Sequence, residues 1–215
     1  GGGADLGGLV AISRVTDDGT RHHSRAEQWR ARAGVEWQAG PTTTLVFRAA
    51  VANDPRRDAP GARTLAEFAA DPTAASPTSV ARNAGKSLTE QRVSLALAQR
   101  FGQLSLGATE WTLWRTLENP LAAPAPAPAS ATEGVWVGLD RRGSGARSSL
   151  SLPLGHGAIA SAGLDVQTMR DLRTNRRHDA GVVSGPAFLD QVETITELGG
   201  FAQVSTSLSR HWSIR

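Results

Sequence analysis

Apolar and polar residues alternate one by one over long stretches of this chain, most clearly over 26–38. The residues of one parity are apolar: Trp29, Ala31, Ala33, Val35 and Trp37. The residues of the other parity are polar or small: Gln28, Arg30, Arg32, Gly34 and Glu36. Because successive side chains of a strand point to opposite faces, the pattern predicts a β-strand with one apolar and one charged face. At ~3.3 Å per residue it extends on the order of 40 Å, enough to cross a bilayer and project beyond it.

The alternation recurs in later segments that turn-forming residues separate from one another. Short turns are predicted at 38–41, 100–103, 153–157 and 209–211, and the last strand runs from about 192 to 208. Longer polar connections occupy 53–86, 118–133 and 171–190, and the proline-rich stretch 119–130 predicts an extended loop. In the first of these, Thr64 and Glu67 predict the capping box of one helical turn. Since short and long connections alternate, the short turns lie at one end of the sheet.

The predicted fold class is therefore all-β: an antiparallel transmembrane β-barrel segment of about 8–9 strands of a larger barrel, with short periplasmic turns and long extracellular loops. A soluble barrel or sandwich shows the same alternation, and the pattern alone does not assign the outward face. Trp29 and Trp37 lie ~26 Å apart by strand rise, close to the height of a bilayer's apolar band. They are predicted to belong to a membrane aromatic girdle, with packing in a sandwich core as the alternative.

Composition narrows the classes of protein. The chain has 215 residues and is 40% hydrophobic, below the roughly 45–50% of globular domains, which suits a partly wet interior. With 23 basic and 20 acidic residues the net charge is +3, which gives little reason to expect a nucleic-acid partner. There is no cysteine, so disulfides, thiolate metal sites and thiol nucleophiles are excluded. The sequence has neither a Met start nor a signal peptide, and we expect a piece of a longer chain.

No motif predicts catalysis, a metal site or a cofactor. Gly85-Lys86-Ser87 lacks the first glycine of a phosphate-binding loop. His22 and His23 are adjacent, so on a strand they point to opposite faces and do not share one metal ion. No serine–histidine–acid set emerges around His156, His178 or His211. The chain is therefore predicted not to be an enzyme.

Arginines in or near the long connections are the main candidates for ligand binding. They are Arg56, Arg57, Arg141, Arg142, Arg173, Arg176 and Arg177. Arginine clusters bind anions through forked, charge-assisted hydrogen bonds. The hypothesis is an extracellular, positively charged vestibule for acidic ligands, and the alternative is a solvated loop or contact with lipopolysaccharide phosphates.

In several segments the chain resembles TonB-dependent outer-membrane receptors of the siderophore-receptor type. The similar segments are 13–24, 34–41, 64–72, 162–167 with the Arg-rich 170–177, 190–203 and 211–215. Barrels of this family have about 22 strands and a plugged lumen. The resemblance implies that 1–215 is part of such a barrel, with the plug domain and the remaining strands absent. The lack of tyrosine departs from the family's usual girdles.

The resemblance also implies a function, partners and a location. The function is uptake of a ferric siderophore or similar scarce ligand across the outer membrane of a Gram-negative bacterium. The iron arrives chelated, so the protein itself needs no cofactor. The implied partners are outer-membrane lipid and lipopolysaccharide, the ferric siderophore, and TonB through the missing plug. The alternatives are a passive porin-like channel, a soluble β-rich binding module and an outer-membrane enzyme.

Overall fold

The computed structural model describes residues 5–155, 157–207 and 213–214. Nine strands follow one another in a single antiparallel meander, so that each strand pairs with its neighbours in the chain. The strands are β1 Asp5–Asp17, β2 Ala26–Gly40, β3 Thr43–Asp58, β4 Gly85–Phe101, β5 Leu104–Pro124, β6 Glu133–Gly155, β7 Ala158–Asp179, β8 Val182–Ser207 and β9 Ser213–Ile214. Two short helices, α1 Leu65–Ala70 and α2 Pro77–Ala81, lie between β3 and β4. The prediction of an all-β antiparallel fold is confirmed.

Except for the turn between β7 and β8, short connections lie at one end of the sheet and long connections at the other, as predicted. Residues 41–42, residues 102–103 and the link between Gly155 and Ala158 connect strands at one end, which we call the short-turn end. Residues 18–25, 59–84 and 125–132 connect strands at the other end and form what we call the rim. The predicted turn at 209–211, as well as His156 and His211, lies outside the described residues.

The capping box at Thr64 is confirmed. Its hydroxyl accepts a hydrogen bond from the Glu67 amide, and the Glu67 carboxylate accepts one from the Thr64 amide at 2.9 Å. These two bonds satisfy amide groups that the first turn of a helix leaves without a backbone partner. Helix α1 therefore begins where the local sequence predicts.

The predicted long connection 171–190 is wrong, because this segment is a hairpin. Strand β7 continues to Asp179, strand β8 begins at Val182, and these two residues pair directly. Only Ala180 and Gly181 form the turn, with φ of 47° and 89°. Two successive residues with positive φ match the twist of a tight hairpin. The segment was predicted as a loop because its residues are polar. A strand surrounded by water, however, needs no apolar side chains.

The other two predicted long connections are shorter than expected for the same reason. Strand β3 includes 53–58, so that the first connection begins at 59. Strand β5 continues through Pro120 to Pro124, with an irregular register between them, so that part of the predicted proline-rich loop is strand. Polar strand ends thus carry the sheet beyond its apolar part.

The strand register sorts the side chains into two faces. Directly opposed residues of an antiparallel pair share a face, and rows such as Val35–Phe47–Leu95 and Trp37–Leu45–Leu97 cross β2, β3 and β4. We call this the apolar face. Away from the irregularities at strand ends it holds even-numbered residues of β1, odd-numbered residues of β2–β4 and even-numbered residues of β5–β8. The opposite face, which we call the polar face, carries most of the charge.

Large apolar side chains are exposed in the described structure. Among the described residues the buried hydrophobic ones are Ala75, Ala84, Leu113 and Ala125. In contrast, Leu164 is 62% exposed and Leu198 is 79% exposed, and both lie on the apolar face. A water-soluble domain hides such residues in a core. This sheet displays most of them on the apolar face, with exceptions such as Leu9, Ile195 and Phe201 on the polar face.

Neither α1 nor α2 has the length or apolarity to cross a bilayer, within the part of the chain that the structure describes.

Candidate functional site on the polar face

A row of four charged residues crosses the middle strands on the polar face. In register, Glu90 of β4 opposes Arg115 of β5, which opposes Arg141 of β6, which opposes Asp171 of β7. The Arg115 Nε donates to a Glu90 oxygen at 2.7 Å, and Arg141 donates to both oxygens of Asp171 at 2.7 and 2.5 Å. We call these four residues the charge row. Such forked pairs fix the orientation of both partners.

Asp54 extends the charged surface toward the rim. Its side chain is 1% exposed and pairs with Arg30 of β2 and, at 3.5 Å, with Arg57 of its own strand. The register of β3 against β4 shifts between Asp54 and Arg57, so that both belong to one irregular stretch. A buried carboxylate requires such charged donors, because desolvation without them costs several kcal/mol.

Further charges lie closer to the short-turn end. Arg147 of β6 opposes Asp165 of β7, and its Nε donates to the carboxylate at 2.6 Å. This pair is open to solvent, with side-chain exposures of 71% and 39%. Pairs this exposed add little to stability, but they keep the surface hydrated. The polar face is therefore charged along most of its height.

The seven arginines predicted as extracellular-loop ligands all lie on strands, which corrects their predicted placement. Arg56 and Arg57 belong to β3, Arg141 and Arg142 to β6, and Arg173, Arg176 and Arg177 to β7. They belong to strands because the polar strand ends extend far beyond the apolar rows.

These seven arginines also do not form one cluster. Arg141 and Arg142 are consecutive strand residues and point to opposite faces. Arg56 is bound to Asp58 at 2.7 Å. Arg177 donates to the carbonyl groups of Pro126 and Pro128 at 2.5 and 2.9 Å. Ligand binding by these residues stays a prediction, and the charge row with Asp54 is what sequence reasoning missed. The signal for the charge row in the sequence was the set of charged residues at alternate positions of each strand.

At the rim, arginine side chains bind backbone carbonyl groups. Arg21 donates to the carbonyl oxygens of Ala74, at 3.0 and 3.1 Å, and of Gly61, at 2.9 Å. Arg82 donates to those of Ala122 and of Glu133, the latter at 2.9 Å. These bonds connect the rim segment 59–84 to the segment 18–25 and to the ends of β5 and β6.

The histidines at the rim are structural. The His23 ring nitrogen Nε2 lies 2.7 Å from the Ala84 carbonyl oxygen, and the His22 amide donates to the Thr73 carbonyl. His178 is fully buried, where its Nδ1 accepts from the Gly181 amide and its Nε2 donates to the Leu121 carbonyl. No group of three or more His, Asp or Glu side chains suited to a metal ion occurs among the described residues.

Trp29 and Trp37 lie on the apolar face, at opposite ends of β2, and are 40% and 44% exposed. The Trp29 indole nitrogen donates to Glu27 at 3.1 Å, and the Arg14 guanidinium lies 4.8 Å from the Trp29 ring centroid. A half-exposed indole with a polar partner suits a boundary between apolar and aqueous surroundings. The girdle role stays a prediction.

No family model and no curated protein matches the chain. Among solved structures, a match covers 94% of this chain and 98% of a major outer membrane protein from Thermus thermophilus, with 11% sequence identity and a TM-score of 0.26. A likeness at that level carries no argument by itself. The matched protein is an outer membrane protein, and the outer membrane is the location that the sequence predicts for this chain.

The predicted membership of the TonB-dependent receptors is corrected by these findings. No family model supports it, and the matched structure is a major outer membrane protein rather than such a receptor. The segments that suggested it, such as 34–41 and 162–167, are alternating strand residues and a Gly-Pro turn, which many antiparallel barrels require. The predicted uptake of a ferric siderophore rested on the same resemblance and is withdrawn with it.

Proposed function

We propose that this chain forms part of the wall of a passive, porin-like channel in the outer membrane of a Gram-negative bacterium. The observation that carries the proposal is the contrast between the two faces of one sheet. The apolar face exposes rows such as Val35–Phe47–Leu95, while the polar face holds the charge row and Asp54. Lipid suits the first face and water suits the second.

The orientation follows from the free energy of each face in each solvent. Exposed leucine, valine and phenylalanine are unfavourable in water by roughly 25 cal/mol per Å² and cost nothing in hydrocarbon. Charged side chains are favourable in water and unfavourable in hydrocarbon, because a charge at the centre of a bilayer costs several kcal/mol. The polar face therefore lines the aqueous pore, and the apolar face contacts outer-membrane lipid.

Position along the strands supports a bilayer crossing rather than a fully immersed sheet. On the apolar face, Val93, Leu95 and Leu97 of β4 lie near the short-turn end, and Gln91 and Thr89 follow toward the rim. Strand β4 thus has an apolar part and a polar continuation. The polar part with the rim projects into the extracellular space, where lipopolysaccharide is its proposed neighbour.

A channel also requires the sheet to close. Within the described residues β1 pairs with β2 alone, and its other edge carries unpaired backbone groups. Hydrocarbon does not tolerate such groups, so the assembled barrel pairs this edge with another strand. No catalytic step forms part of the proposal.

Single-cysteine labelling tests the orientation, since the chain has no cysteine of its own. Leu95 lies on the apolar face and its neighbour Ser94 on the polar face. In the full-length protein in liposomes, we expect an environment-sensitive dye on Leu95→Cys to be quenched by a lipid-borne quencher. A dye on Ser94→Cys should respond to an aqueous quencher instead.

The control is Gln103→Cys in the two-residue turn between β4 and β5, which should be quenched from water. Equal behaviour of the two strand positions would contradict the two-faced wall. Single-channel conductance of the same protein in planar bilayers then tests the pore. A correctly inserted protein that conducts no ions would overturn the channel function.

A further inference from the structure

Three arginines of the polar face lie together on neighbouring strands, on the short-turn side of Glu90. Arg32 of β2 opposes Ala50 of β3, which opposes Arg92 of β4. Arg48 lies two residues from Ala50 on the same face of β3. Because adjacent strands are about 4.8 Å apart, the backbones of Arg32 and Arg92 are about 10 Å apart, with Arg48 between their strands.

None of these three guanidinium groups forms an ion pair with any carboxylate within residues 5–155 and 157–207. The nearest acids on this face by register are Glu36 and Glu90, and Glu90 is bound by Arg115. All three arginines are exposed. Other arginines of the polar face, such as Arg141 and Arg147, have an acidic partner on the next strand. The difference leaves a local excess of positive charge.

Their surroundings leave space for a ligand. Gly34 opposes Arg48, and Ala50 lies between Arg32 and Arg92, so that the floor among the arginines is made of small residues. The Arg92 guanidinium lies 5.2 Å from the Trp111 ring centroid. Contact with an aromatic face holds a guanidinium group while leaving its N–H edge free to donate.

We propose that Arg32, Arg48 and Arg92 form a binding patch for small oxyanions on the pore wall. Guanidinium N–H groups match the paired oxygens of phosphate and carboxylate groups. A bound oxyanion also removes the repulsion among three like charges. The inference rests on the proposed channel function for its setting, and it adds an anion preference.

The test uses the full-length protein in planar bilayers, with inorganic phosphate as the probe. In a KCl gradient the reversal potential should show preference for chloride, and added phosphate should reduce the chloride current. Replacing all three arginines (R32Q, R48Q and R92Q together) should shift the reversal potential toward cation preference and weaken the block by phosphate about tenfold or more.

Arg170→Gln is the matched control, because it removes an exposed arginine from the apolar face and should change neither quantity. Circular dichroism and channel conductance of the triple variant show whether it folds and inserts. A conducting protein with no anion preference, or a triple variant identical to the unmodified protein, would overturn the patch and leave the channel intact. Absence of any conductance in the unmodified protein would instead contradict the channel itself.

Discussion

The strands β1–β8, which we call the wall, and the rim differ in which side chains they bury. Near the short-turn end the wall displays large apolar groups such as Phe47 and Leu95, which are 46% and 49% exposed. At the rim, small residues such as Ala75 and Ala84 are buried, at 8% and 3% exposure. The rim packs like a water-soluble domain. The wall packs like a surface whose solvent is hydrocarbon.

Arginine shows the same difference. In the wall Arg115 and Arg141 bind carboxylates across strands, which the register brings opposite them. At the rim Arg21 and Arg82 bind backbone carbonyls of irregular segments. Strands satisfy their own backbone groups, whereas loops leave carbonyls free for a side chain to bind. One residue type thus maintains a charged surface in one region and a folded loop in the other.

A charge placed on the apolar face of the wall should have the largest effect. We expect Leu95→Arg to reduce the free energy of unfolding in lipid by about 2–4 kcal/mol, since an arginine near the bilayer midplane costs that much on a barrel. The matched change Ser94→Arg on the polar face should cost well under half as much. Urea titration of both variants in phospholipid vesicles provides the comparison, and equal losses would erase the distinction between the two faces.

Loss of the buried carboxylate between wall and rim should come next. Asp54→Ala leaves Arg30 and Arg57 without their common partner. Breaking a buried pair costs about 3–5 kcal/mol, and partial exposure of both arginines reduces our expectation to about 2 kcal/mol. Asp165→Ala removes the exposed partner of Arg147 and should cost under ~1 kcal/mol. The same urea titration compares the losses in the two variants. If Asp54→Ala cost no more than Asp165→Ala, the buried Asp54 carboxylate would be unimportant for stability.

At the end of β7 next to the rim, His178 should matter through hydrogen bonding rather than charge. His178→Ala leaves the Gly181 amide and the Leu121 carbonyl without their partner, and we expect a loss of about 1–2 kcal/mol. Hydrogen exchange should rise at Gly181, at the tip of the β7–β8 hairpin. The exposed His22→Ala serves as control, because its contact to Thr73 uses the backbone amide. Unchanged protection at Gly181 in His178→Ala would refute the role.

The smallest effect is expected at the capping box of α1. Hydrogen bonds from the Thr64 amide and hydroxyl lower the pKa of Glu67 below its ordinary value. A lowered pKa in the folded state means that the stabilisation is present above the ordinary glutamate pKa and is lost as the pH falls through the lowered one. Thr64→Ala should reduce helix protection by about 1 kcal/mol or less at neutral pH. It should remove only the part of this pH dependence that the hydroxyl supplies, because the residue-64 amide still donates to Glu67.

Protection factors for the Glu67 and Phe68 amides, measured across acidic pH, provide the readout. Arg63→Ala is the control variant, because it leaves both capping hydrogen bonds in place. If Thr64→Ala retained the full acid dependence, the Thr64 hydroxyl would not contribute to it.

Local pattern was sufficient for the strands that have two unlike faces. The segment 26–38 was predicted as a strand and is β2, and the turns after Gly40 and Phe101 lie where predicted. The capping box at Thr64 was also correct. These features depend on residues next to one another in the chain, because strand alternation and helix capping act over a few residues.

The segment 171–190 shows where local pattern failed. Its polar residues predicted a loop, but pairing of β7 with β8 makes it a hairpin that continues beyond the apolar part of the sheet. A polar strand gains its stability from the hydrogen bonds of its neighbour rather than from its own side chains. Such a strand is visible only when its partner is known.

The sequence by itself determined the alternating strands, the two faces of the sheet and the unequal connections apart from the one between β7 and β8. Tertiary structure alone decided which charges meet. Glu90 and Arg115 pair across strands, Arg82 binds carbonyls of distant segments, and Arg32, Arg48 and Arg92 have no carboxylate partner within the described residues. The reason is that the alternation of apolar and polar residues is a property of one strand. A cross-strand contact depends on the register between two strands, which the whole sheet sets.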